Sequence, residues 1–119
     1  MGAERRQFQR AEQPFEIQYR LAGELGQGWK TGLVVNISAG GMRFHGEEGV
    51  EAGRMLEIRI ALPARRESLV LAGTVAWSHM KAAGVTEHGV AFHDMDPTQQ
   101  AMIDDLVRFL MTSVRPPDA

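Results

Sequence analysis

Arg6 and Arg10 stand four residues apart in the run Arg5-Arg6-Gln7-Phe8-Gln9-Arg10. A guanidinium is a rigid, planar, permanently charged fork. Two at this spacing can converge on one anion, gripping phosphate oxygens or the O6/N7 edge of a guanine, and they can also stack on a base. Lysine would bring charge without that planarity. The competing reading is a solvated basic tail, because 11 of the 13 basic residues are arginine and charge runs usually sit in water.

A second constellation is Asn36-Ile37-Ser38-Ala39-Gly40-Gly41. If Leu33, Val35 and Ile37 point into a core, Asn36 and Ser38 face outward on one side, roughly 6.5–7 Å apart. Each is a small donor and acceptor suited to the polar edge of a base. Gly40 and Gly41 let backbone approach a ligand closely or adopt positive φ; the competing reading is a tight turn built from ordinary turn residues. Asn-Ile-Ser is also a glycosylation sequon, but nothing directs the chain to a secretory lumen. Ser38 is no nucleophile elbow, since Asn36 stands where that motif needs glycine.

The remaining candidates carry less chemistry. Trp77 shares a parity with Leu71 and Val75, which favours core packing over the alternative, a stacking wall at the rim. His45, His79, His88 and His93 have no metal-ligand spacing and read as surface or rim residues, so no metal site is expected. Asp104 and Asp105 fall on the polar face of a helix and are most simply solvated. Should part of that helix's apolar stripe stay exposed, Phe109 and Met111 are where an effector would dock.

These residues need a frame. Residues 1–14 lack apolar periodicity and read as an arm, with too few apolar groups to offset the entropy of ordering it. Phe15, Ile17, Tyr19 and Leu21 alternate with polar residues, as in a half-buried strand, and Gly23, Gly26 and Gly28 mark the turn after it. Further strands follow: Leu33–Ile37, Met42–His45, Leu56–Leu62, Leu69–Trp77 and Thr86–His93. Gly73 suggests a bend or bulge within the fifth. Asp96-Pro97-Thr98-Gln99 then reads as a helix start. Met102, Ile103, Leu106, Val107, Leu110 and Val114 recur at helical spacing up to Pro116-Pro117. The fold class expected is all-β: a small six-stranded antiparallel barrel over 15–119, with a C-terminal helix at about 97–114.

At 119 residues with 44% hydrophobic content, one domain with its own core is expected. The absence of cysteine rules out a disulfide framework and suits a reducing compartment. A net charge of -2 argues against coating DNA or anionic membrane. The longest apolar runs fall far short of the ~20 residues that span a bilayer. Met1–Arg10 is charged and no hydrophobic stretch follows it, so a cytoplasmic location is expected.

Together the two motifs resemble the PilZ domain, the bacterial receptor module for the second messenger cyclic di-GMP. Its signature is Arg-x-x-x-Arg in an N-terminal arm, matched by Arg6 and Arg10, then Asp/Asn-x-Ser-x-x-Gly on an early strand, matched by Asn36, Ser38 and Gly41. The resemblance continues through Thr74-Val75-Ala76-Trp77 and Gly89-Val90-Ala91-Phe92, spanning residues 5–112. It implies a six-stranded barrel followed by a helix, in Greek-key or split form, and a non-catalytic sensor. In the family the paired arginines clamp phosphate and the Hoogsteen edge of guanine, while the Asn-x-Ser-x-x-Gly face takes another guanine edge. A loose arm bridged to the barrel by the ligand would make binding an ordering transition. A basic residue at Arg5 implies two stacked ligand molecules rather than one. The ligand-binding set expected is therefore Arg5, Arg6, Arg10, Asn36, Ser38, Gly40, Gly41 and Trp77, with cyclic di-GMP as ligand and no cofactor.

Two other functions compete. One is a barrel of the same fold that binds a protein partner and no nucleotide; the complete motifs argue against it. The other binds single-stranded nucleic acid, against which stand the acidic balance and the scarcity of stacking aromatics. No nucleophile has a base beside it, so no enzyme is expected. A downstream protein partner is expected, its identity not readable from the chain.

Overall fold

The computed structural model describes residues 14–24, 26, 28–62 and 68–113. Its elements are β1 (Phe15–Leu21), β2 (Lys30–Ser38), β3 (Gly41–Gly46), β4 (Met55–Ala61), β5 (Ser68–Ala82), β6 (Val85–His93) and α1 (Pro97–Ser113). The strands pair in the order β1-β2-β3-β6-β5-β4, and β4 closes on β1. Every pairing is antiparallel. Closure matters because it leaves no sheet edge with unpaired backbone.

Alternation builds the interior. Ile17 and Tyr19 of β1, Met42 and Phe44 of β3, and Leu56, Ile58 and Ile60 of β4 all point inward and are buried. Burying each such side chain is worth roughly 1.5–3 kcal/mol. The helix starts as its sequence requires: Asp96 Oδ1 accepts the Gln99 N–H at 2.8 Å and Gln99 Oε1 accepts the Asp96 N–H at 3.1 Å. Gln99 Nε2 also donates to the Val70 carbonyl at 3.2 Å, pinning the helix start to β5. Ile103, Leu106, Val107 and Leu110 join the same core as the barrel, and α1 lies against β2 and β5.

Four sequence expectations need correction. Leu33 is 41% exposed and Val35 only half-buried, whereas Val34 and Ile37 are fully buried. The cause is a bulge between Val34 and Asn36 that flips the parity of β2 within one residue. Gly73 marks no bulge. It faces inward, and a Cβ there would lie 2.6 Å from Val90 Cγ1 and 3.2 Å from Ile58 Cδ1, so the missing side chain makes room for its neighbours. The bulges of β5 come later, between Val75 and Trp77 and between Met80 and Ala82. The first of these turns Trp77 off the parity of Leu71 and Val75. Finally His88, expected at the surface, is 0% exposed. It faces inward opposite Phe44 and stacks on that ring at 4.5 Å.

Candidate functional site

The two-residue turn Ala39-Gly40 sets the β2–β3 register, pairing Ser38 with Gly41, Ile37 with Met42 and Asn36 with Arg43. Directly opposed residues share a face. Ile37 and Met42 are inward and buried, so Asn36, Arg43 and Ser38 belong to the outer face. The row continues across the barrel wall: Arg43 opposes Gly89, and Gly89 opposes Trp77. Asn36, Arg43, Gly89 and Trp77 therefore form one outward row across four strands. Bulges beside Asn36 and Trp77 put both ends of it there.

Gly89 decides how the row is filled. A Cβ at Gly89 would sit 2.3 Å from Cε2 and Nε1 of Trp77, so the indole lies on the glycine backbone. Trp77 is half-buried and tilted against His79 at 5.3 Å. One face of a large aromatic is thus supported by β6, an arrangement suited to stacking.

The next row holds charge. His45 opposes Glu87, which opposes His79. Glu87 lies 3.2 Å from Lys81 Nζ, 3.5 Å from His45 Nε2 and 3.8 Å from Arg43 Nη1, with only 9% of its side chain exposed. Burial alone would raise its carboxyl pKa, but the hydrogen bond and charge of Lys81, with Arg43 and His45, more than offset this and hold it below the usual carboxylate range.

The expected residues fare unequally. Asn36 and Ser38 face outward yet are 4% and 2% exposed, so their outward parity does not leave them open to solvent. Neither is an orphaned polar group, and Ser38 Oγ accepts the Gly40 N–H at 3.2 Å, which is also what a local turn would show. Gly41 is required by packing: a Cβ there would meet the Val90 carbonyl oxygen at 2.2 Å. The Gly40 carbonyl accepts the Phe92 N–H at 3.1 Å, tying the turn to β6. Arg5, Arg6 and Arg10 lie outside the described residues. Reading the chain residue by residue missed Arg43 and Glu87. Arg43 was within reach, because a two-residue turn at Ala39-Gly40 dictates its pairing with Asn36. Glu87 needed the long-range β3–β6 register.

Elsewhere a cavity of about 260 Å³ opens at the Lys30 end of β2, lined by Tyr19, Arg20, Lys30, Glu48, Val50 and Arg54 among others. Its cations are already engaged: Lys30 with Glu48 at 2.8 Å, Arg54 with Glu24 at 2.8 Å and Arg20 with Glu57 at 2.7 Å. Among the described residues no three His, Asp or Glu side chains group as a metal site, and no helix is long and apolar enough to cross a membrane.

Comparison with known proteins accords with the fold. The family model of the PilZ domain matches residues 4–110. The chain belongs to the PilZ domain family. Among solved structures, the Bacillus subtilis inhibitor of motility MotI/DgrA superposes with a TM-score of 0.72 at 18% identity, over 93% of this chain and 53% of that one. The PilZ domain of Escherichia coli YcgR, solved with cyclic di-GMP, gives 0.68 at 14% identity over 92% and 93%. The PilZ domain of CeSA from a cellulose-synthesizing bacterium gives 0.64 at 18% over 87% and 98%. The chain thus spans about half the length of MotI/DgrA and nearly all of the two isolated PilZ domains. No curated protein matches it.

Proposed function

We propose that this PilZ domain is a non-catalytic cyclic di-GMP receptor. The ligand is clamped between Arg6 and Arg10 of the N-terminal arm, with Arg5 beside them, and the outer wall bearing Asn36, Ser38, Gly40 and Gly41. Binding orders the arm and relays the signal to a protein partner. The observation that carries the reading is the outward row in which Asn36 and Trp77 flank Arg43 and Gly89, on a chain that keeps both family motifs. In that row the part-exposed Arg43 offers hydrogen-bonding groups for a base edge and Trp77 an aromatic face for the base plane, beside the buried Asn36. The arginines supply charge for the phosphates.

The test is titration calorimetry with cyclic di-GMP. Micromolar or tighter binding is expected, about -8 kcal/mol or better. Arg10→Ala is expected to lose most of the affinity with the melting temperature nearly unchanged. Asn36→Ala should weaken cyclic di-GMP without improving GMP or single-stranded DNA. Absence of heat together with an unmoved melting temperature would favour a protein adaptor, and equal affinity for short oligonucleotides would favour a nucleic-acid binder.

A further inference from the structure

We propose that Arg43 is a guanine-reading residue of the barrel wall, acting in addition to the arginines of the arm. The inference rests on the cyclic di-GMP reading and deepens it.

Three observations point there. Arg43 opposes Asn36 on one side and Gly89 on the other, so it stands between the amide and the indole that covers Gly89. Strands in a sheet are about 4.8 Å apart. A purine stacked on Trp77 above Gly89 therefore presents an edge toward β3, where Arg43 is the outward side chain. The second observation is that Arg43 is oriented without being used up. Its contact with Glu87 is 3.8 Å long, and 45% of its side chain is exposed. That is an ion pair longer than a hydrogen bond, and a guanidinium has five N–H donors. The third is that Glu87 is itself held: Lys81 lies 3.2 Å from one carboxylate oxygen and His45 3.5 Å from the other. The carboxylate steers Arg43 through one oxygen while Lys81 pairs with the other. A forked donor beside a stacking platform matches the paired O6 and N7 acceptors of guanine, which adenine does not present.

The experiment is a cycle of two proteins and two ligands. The parent and Arg43→Ala are titrated with cyclic di-GMP and with its 7-deaza analogue, which keeps both phosphates and the stacking faces but lacks the N7 acceptor. Arg43→Ala is expected to weaken cyclic di-GMP by about 5- to 150-fold, and the 7-deaza change should cost the parent clearly more affinity than it costs the variant. Arg43→Gln, of similar length and uncharged, repeats the measurement should the alanine variant fold poorly. Equal 7-deaza penalties in parent and variant would show that Arg43 does not touch that edge. Affinity of the variant within twofold of the parent would overturn the inference while leaving the receptor reading intact. A parent that does not bind cyclic di-GMP overturns both.

Discussion

Gly89→Ala tests the site through a single methyl group. The new Cβ would lie 2.3 Å from Cε2 and Nε1 of Trp77 and 2.7 Å from Cζ2. Carbon atoms sit comfortably at about 3.5–4.0 Å, so something must retreat by more than about 1 Å. The obstacle is the far end of a half-buried side chain, and the indole is what should swing away. If a third of a Trp surface of about 150–250 Å² returns to water, the loss is roughly 1–2 kcal/mol at about 25 cal/mol per Å². Replacing glycine by alanine recovers about 0.4–1 kcal/mol by restricting the unfolded chain. The net is about 0–1.6 kcal/mol, a fall of at most about 6 °C in melting temperature. Affinity should suffer more, because losing a base–aromatic stack costs about 1–3 kcal/mol, or about 5- to 150-fold. Calorimetry with cyclic di-GMP measures the affinity, and scanning fluorimetry the stability. Trp77 emission in a Trp29→Phe background reports whether the indole has moved. Unchanged affinity with a displaced indole would refute the stacking role. A fall in melting temperature beyond about 10 °C would show that the barrel, not the ring, gives way.

The remaining predictions concern the frame and its titration. Gly41→Ala should behave in the opposite way to Gly89→Ala: its Cβ meets the Val90 carbonyl oxygen at 2.2 Å, backbone that cannot swing aside. Overpacking of about 1–3 kcal/mol or more then lowers the melting temperature by at least about 4 °C, and a variant as stable as the parent would contradict the β3–β6 register. His88 is held neutral: burial lowers its pKa below 6.5, and its Nε2 accepts the Val50 N–H at 3.0 Å. The unfolded chain therefore binds the proton first, so this stability is complete above pH ~6.5 and is lost as pH falls below it, by up to about 1.4 kcal/mol per pH unit. Urea unfolding at pH 7.5, 6.5 and 5.5 should show a shallower decline for His88→Gln, and parallel profiles would contradict the assignment. Glu87, with its carboxyl held low, acts in a separate window, its stabilisation being lost only as pH falls below about 4.5.

What could be read locally was read correctly where a single period governs. β4 alternates without interruption, and Leu56, Ile58 and Ile60 are all fully buried. The Asp96–Gln99 capping pair formed because both partners lie within one turn of chain. β2 misled at Leu33 and Val35 because a bulge resets parity without altering composition. Asn36 still faces outward, since the bulge precedes it and Ile37 keeps its inward place.

Residue types and short spacings alone determined the six-strand pattern, the helix with its cap and the turn at Ala39-Gly40, whose two-residue length is what pairs Asn36 with Arg43. Each depends on backbone geometry within a few residues. Only the closed barrel decided that Trp77 leaves the core to lie on Gly89, that Glu87 gathers Arg43, His45 and Lys81, and that His88 is entombed against Phe44. Those outcomes depend on which strands become neighbours and on where their ladders slip, and both are settled by the packing of the whole interior.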